Sequence, residues 1–160
     1  ANRVIIRTRS LVVGHGMDPK TTMGPVTVSR SLDKVEAIAS DAIQKGAKLL
    51  LGSGRRWTGS ETGNPDSSAG YFMDPTILID MTDDMIMSRE EVFGPLLGIY
   101  PFASEAEVTQ RANNTTLGLA SYVFTENVNR LWRMMENLEA GMIGLVSNSN
   151  CNTSRIGAYC

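Results

Sequence analysis

The sequence has few of the residues that most enzymes use for chemistry. Its 160 residues contain two cysteines and one histidine. Both cysteines, Cys151 and Cys160, lie in the last ten residues, where they frame neither a disulfide scaffold nor a metal-ligand spacing. Such sparse thiols point to a reducing compartment, cytoplasm or mitochondrial matrix. Cys151 would need an adjacent base or a helix N-terminus to act as a nucleophile, and the polar stretch around it offers neither. His15 lies between Gly14 and Gly16 and reads as an exposed loop residue, so no histidine-based triad or metal centre is expected. No residue of the chain is assigned a catalytic or metal-binding role.

Other absences narrow the function further. Apolar runs are short, Leu49-Leu50-Leu51 and Leu96-Leu97 among them, so no membrane span is expected. The opening Ala1-Asn2-Arg3-Val4 does not look like a signal peptide. It also lacks a starting Met, which suggests processing or a piece of a longer chain. A net charge of -2 provides no basic field for nucleic acid or an anionic membrane. Phosphate loops are missing too. The third glycine of a dinucleotide fingerprint would fall at Pro19 after Gly14-His15-Gly16, and at Trp57 after Gly52-Ser53-Gly54. No Gly-Lys-Ser/Thr sequence occurs, so both glycine pairs read as turns.

What is present is an ordinary globular composition, 42% hydrophobic and 20% charged, long enough for one domain with a core. Val4-Ile5-Ile6 reads as a buried strand, with a second short apolar run at Leu11-Val12-Val13. Leu32, Val35, Ile38, Ala39, Ala42 and Ile43 form a helical stripe, with Ser31 as N-cap and Gly46 as stop. Strands are expected at Lys48–Leu51, Thr76–Ile79, Leu97–Tyr100, Leu119–Thr125 and Met142–Val146. The Gly-, Ser- and Pro-rich stretch 52–70 reads as a surface loop. Ser104 and Glu107 form a capping box that starts a helix. Val128, Leu131, Trp132, Met135 and Leu138 mark a second helical stripe, stopped by Gly141. This alternation predicts an α/β fold of three layers, helices covering a mostly parallel sheet on both faces. Residues 1–146 form the domain. Residues 147–160, "SNSNCNTSRIGAYC", are polar and aperiodic and read as a disordered tail.

One stretch is not explained by burial alone: "REEVFGPLLGIYPF", Arg89 to Phe102. Taken from the residues, two readings are open. Val92 and Phe93 could be core with Glu90 and Glu91 solvated. Alternatively, a loop at a strand end presents a carboxylate and an aromatic face to a ligand. A carboxylate has two acceptor oxygens that match a vicinal diol, and an aromatic side chain can pack beside a flat ring. Gly94 then permits close backbone approach, and Pro95 fixes the exit into the following strand.

The same stretch, continued as "EEVFGPLLGIYPFASEAEV" and "ANNTTLGLASYVFTENVNRLWRMMENLEAGMIG", resembles the C-terminal part of the catalytic domain of aldehyde dehydrogenases. Upstream, "GMDPKTTMGPV", "KVEAIASDAIQKGAKLLLGSGRR" and "GYFMDPTILIDMT" follow in family order. "ANRV" and "GMDPKTTMGP" look most like the succinate-semialdehyde dehydrogenase branch. The resemblance implies NAD(P)-dependent oxidation of a small aldehyde, succinate semialdehyde in that branch's case, through a cysteine-bound thioester. The cofactor is NAD or NADP, and full-length relatives are homo-oligomers. The second Glu of the Glu-Glu-x-Phe-Gly-Pro motif holds the nicotinamide-side ribose, and the Phe packs near the nicotinamide ring. These roles fall on Glu91 and Phe93; Glu90 receives none.

Three departures from the family pattern shape the expectation. The nucleophilic cysteine would sit just before Ala1, with the general-base glutamate and the cofactor domain further upstream. Arg7-Thr8-Arg9-Ser10 joins the opening strand directly to the "VVGHGMDP" block, as though a helix were deleted. After Gly144-Leu145 the family's Asn and Pro-Phe-Gly-Gly segment are replaced by the polar tail. An incomplete catalytic domain is therefore expected, inactive on its own. The alternative is a non-catalytic piece that associates with full-length dehydrogenase subunits.

Overall fold

A computed structural model describes residues 2–57, 70–146 and the backbone of 158–159. The chain divides into two compact units, Ala1–Pro101 and Phe102–Cys160.

The first unit opens with α1 (Asn2–Arg9), where a strand at Val4–Ile6 was expected. Among the described residues no strand pairs with this segment, so its backbone groups are satisfied locally as a helix. No residue of α1 is buried, and Arg7 and Arg9 occupy its last turn, where cations favour the negative end of the helix dipole. Helix takes the place assigned to the opening strand.

Helix α2 (Ser29–Gln44) buries Leu32, Val35, Ile38, Ala39 and Ala42, five of the six residues of the expected stripe; Ile43 faces out. It begins earlier than expected. Val28 is the N-cap, without a side-chain capping bond, and Ser31 N–H donates to the Val28 carbonyl at 3.1 Å, which places Ser31 inside the first turn. Its C-terminus closes as expected on Gly46, at φ +100°. Gly46 N–H donates to the Ile43 carbonyl at 3.1 Å and Ala47 N–H to the Ala42 carbonyl at 2.9 Å, the pair of bonds of a Schellman cap.

Strands β1 (Lys48–Leu51), β2 (Thr76–Ile79) and β3 (Leu96–Ile99) form one sheet in that order. β2 and β3 run parallel, whereas β1 and β2 run antiparallel with a bulge between Leu49 and Leu51. Gly52 and Gly54, at φ +78° and +67°, turn the chain out of β1, the role expected of them. The core unites α2 with Ala47, Met73, Leu78, Met81, Met85 and Leu96.

The second unit contains α3 (Glu105–Asn113), β4 (Ala120–Phe124), α4 (Val128–Asn137), β5 (Met142–Val146) and β6 (Ala158–Tyr159). Ser104 Oγ accepts from Glu107 N–H at 3.1 Å, as the capping box requires. The reciprocal Glu107 carboxylate reaches Ala103 N–H, one residue before the cap, at 2.8 Å. β4 and β5 pair in parallel across α4, and β6 adds antiparallel to β5. β6 lies within the segment expected to be a disordered tail; residues 147–157 and 160 are outside the described set. In α4 the buried residues are Leu131 and Met134, while Val128 and Trp132, assigned to the inner stripe, are exposed. The helix carries apolar residues on more than one face, and periodicity alone does not say which face turns inward.

The fold is therefore α/β with parallel pairing, as expected. The strands of the described residues fall into two sheets, each with one parallel and one antiparallel pair.

Candidate functional site

The site is the segment between a short 3-10 helix, Ile86–Ser88, and the start of β3. Its approach is fixed from α2. Asp41 Oδ2 accepts from Ile86 N–H at 2.8 Å, and Lys45 Nζ pairs with Asp41 Oδ1 at 2.8 Å. Lys45 Nζ also donates to the Asp84 carbonyl at 2.7 Å. The Ile86 amide first, then Lys45, holds the Asp41 carboxyl below its ordinary range, since both favour the charged form. Glu90 N–H closes the turn on the Ile86 carbonyl at 3.0 Å.

Beyond this turn the residues alternate in what they engage. Glu90 pairs with Lys34 Nζ of α2 at 3.2 Å. Val92 is half-buried and packs on the core cluster. Gly94 lies against α2 so closely that a Cβ there would stand 2.6 Å from Val35 Cγ2. Between them, Glu91 is exposed and makes no hydrogen bond or ion pair among the described residues. Phe93 leaves 66% of its surface exposed and stacks on no other ring of the described residues. The segment then locks onto the sheet, with Thr76 N–H donating to the Pro95 carbonyl at 2.8 Å.

Of the two readings left open by the residues, the structure divides them by side chain. Val92 is turned to the core, and Phe93 is not. The two expected site residues come together on one short segment, both outward, with one residue between them. An unpartnered carboxylate can accept two hydroxyl donors of a diol, and the free face of Phe93 can lie beside a planar ring. The residues present thus fit the nicotinamide-ribose half of NAD(P).

The close approach expected at Gly94 is real, but it is made to Val35 of the chain's own helix. Lys34, Val35 and Asp41 were missed by sequence reasoning, because no local pattern links a helix to a turn 45 positions on. His15 is exposed in a turn, its Nδ1 accepting from Met17 N–H at 3.2 Å. Cys151 and Cys160 lie outside the described residues. Among the described residues no cluster of three or more His, Cys, Asp or Glu side chains could hold a metal ion, and no helix is long and apolar enough to cross a membrane.

An α/β scaffold that begins one parallel strand with this motif matches a known class. The chain belongs to the aldehyde dehydrogenase family, whose model matches residues 1–157. Among its relatives, the succinate-semialdehyde dehydrogenase [NADP(+)] of Saccharomyces cerevisiae is 45% identical over 147 residues, 92% of this chain and 27% of that protein. The mitochondrial succinate-semialdehyde dehydrogenase of Oryza sativa is 37% identical over 145 residues, 91% of this chain and 26% of that protein. A crystal structure of succinate-semialdehyde dehydrogenase from Burkholderia pseudomallei superposes with a TM-score of 0.82 at 33% identity, over 99% of this chain and 31% of that one. The chain thus spans about a quarter of the length of the curated relatives it matches.

Proposed function

We propose that these residues supply one wall of the cofactor site of an NAD(P)-dependent aldehyde dehydrogenase. The aldehyde is succinate semialdehyde, oxidised to its carboxylic acid through a cysteine thioester, in the cytoplasm or mitochondrial matrix. The observation that carries this reading is the placing of a Glu91 carboxylate, without a partner among the described residues, beside an exposed Phe93 face on one fixed segment. NAD or NADP, when bound, accepts the hydride. Glu91 accepts hydrogen bonds from the ribose hydroxyls and Phe93 packs beside the ring, so the two residues orient the nicotinamide rather than react with it. The nucleophile, the general base and the phosphate-binding fold are contributed by polypeptide outside these residues, so a chain of these 160 residues alone oxidises no aldehyde.

The test is titration of the 15N-labelled chain with nicotinamide mononucleotide, followed by amide shifts. Shifts centred on Glu91–Phe93 and abolished by Glu91→Ala are expected; shifts that ignore this variant refute the assignment. Robust turnover of succinate semialdehyde with NAD or NADP by the purified chain would overturn the inactivity.

A second reading, association with full-length dehydrogenase subunits, has its own observation. In the second unit Leu119, Tyr122, Phe124 and Trp132 are all more than half exposed, an apolar concentration of the sort that marks interaction surfaces. Co-purification with an intact dehydrogenase supports this reading, and a clean monomer by light scattering counts against it.

A further inference from the structure

The alternation at the site segment has a mechanical origin in α2, and resting on the cofactor reading above, we infer that Val35 is the positioning residue for Glu91 and Phe93, with Lys34 as its polar partner. Val35 is 1% exposed, so its side chain is fixed by the core around it. Gly94 rests on it at a distance that only a residue without Cβ can take, 2.6 Å from Cγ2 to the position a Cβ would occupy. One helical position earlier, Lys34 holds Glu90 at 3.2 Å. Consecutive residues of one helix thus grip the two ends of the segment, and Val92 is pinned to the core between them. With 90, 92 and 94 engaged, 91 and 93 are the residues left to face a ligand.

This grip assigns a role to the first glutamate of the pair, which the family motif leaves without one: Glu90 anchors, and Glu91 binds. It also accounts for Gly94 sterically. The glycine is not among those at positive φ, so backbone conformation does not demand it. The Val35 side chain does.

The argument makes a rescue testable. In Gly94→Ala the new Cβ must retreat from Val35 Cγ2, from 2.6 Å to the ordinary contact range of 3.4–4 Å, which displaces the segment by about an ångström. Truncating Val35 to alanine removes Cγ1 and Cγ2, and the nearest remaining atom is Cβ at 3.6 Å, an unstrained contact. The experiment measures backbone 15N order parameters at 91–93 without ligand and nicotinamide mononucleotide affinity with it, in the full chain. Gly94→Ala is expected to lower the order parameters at 91–93 and weaken the nucleotide about tenfold or more, the loss of one hydrogen bond to a charged acceptor. Val35→Ala/Gly94→Ala is expected to return both readouts to the values of Val35→Ala alone. A role in general stability predicts the opposite, since the double variant carries the larger core defect.

Lys34→Met tests the polar half at the surface, where the fold is not at stake, and is expected to lower the order parameters at Glu90 and Glu91. The inference is overturned if Gly94→Ala leaves the order parameters at 91–93 as in the parent, or if the double variant shows no recovery. If they respond and recover but the parent binds no nucleotide, the cofactor reading fails while the seating of the segment stands.

Discussion

Replacing Thr76 with valine sets a lost hydrogen bond against the gain of a buried methyl, on the strand that pairs with β3 beside the candidate site. Thr76 opens β2 and is 1% exposed. Its hydroxyl accepts from the buried Gly54 N–H at 3.0 Å and donates to the Asp74 carbonyl at 3.0 Å. Its own N–H holds the Pro95 carbonyl at the end of the Glu91–Phe93 segment. Valine keeps the shape and replaces the hydroxyl with a methyl, so no cavity enters the comparison. Asp74 is half-buried and its carbonyl regains water, whereas Gly54 is buried and its N–H does not.

An orphaned buried donor costs about 1–3 kcal/mol. Against it stands the gain of a buried methyl, ~0.8 kcal/mol; threonine and valine are both β-branched, so strand preference barely separates them. The difference leaves Thr76→Val destabilised by about 1 kcal/mol, a value small enough that the global measurement needs a local companion. Urea unfolding reads the first as a lower midpoint at unchanged slope, and amide exchange at Gly54 reads the second. Thr76→Ser loses a methyl but keeps the hydroxyl, so it should also unfold more easily while Gly54 stays protected. A Thr76→Val chain as stable as the parent, with Gly54 still protected, would refute the claim that this hydroxyl ties the β1 turn to β2.

Two further predictions concern the separate units. Leu78 is fully buried in the first unit's core, so Leu78→Ala is expected to cost about 2–5 kcal/mol through lost burial and a residual cavity, measured as a drop in urea midpoint; a change within error would refute the burial of Leu78 in that core. In the second unit Arg133 first, then Arg130, holds the Glu105 carboxyl down at about 2, against an ordinary 4.5. The folded value is the lower one, so the pairing contributes fully above about pH 4.5 and is lost as pH falls toward 2. The melting-temperature gap between the parent and Glu105→Gln should therefore narrow over that window, and a gap independent of pH would disprove the pairing.

The parts of the fold legible in the sequence are those decided by neighbours along the chain. The α2 stripe, the Schellman glycine at Gly46, the Ser104 cap and the apolar strands each rest on contacts within a few residues. Val4–Ile6 misled because three β-branched or apolar residues favour a strand only where a partner strand exists, and none is offered to them among the described residues. Ser31 misled because a good capping residue also sits without difficulty in the first turn, three positions past the cap at Val28. Trp132 and Val128 misled because α4 is apolar on more than one face, and the face that packs is chosen by what the rest of the unit presents.

The site shows the same division more sharply. Its two outward-facing residues, Glu91 and Phe93, came from a motif, and the residues alone left open whether Val92 and Phe93 were core. That ambiguity has a physical source: in "EEVFG" each type of side chain occurs beside one of similar polarity, so composition cannot say which carboxylate or which apolar group turns outward. The phase is set from elsewhere, by a lysine and a valine adjacent on α2 and more than fifty positions upstream. An ion pair as exposed as Lys34–Glu90 contributes little to stability, about 0–1 kcal/mol, and would be passed over in any account of what holds the fold together. Its consequence lies in direction rather than strength. Moving the anchor by one residue would turn Glu90 and Val92 outward and Glu91 and Phe93 to the helix, so a contact too weak to matter for folding can still decide which glutamate is left exposed.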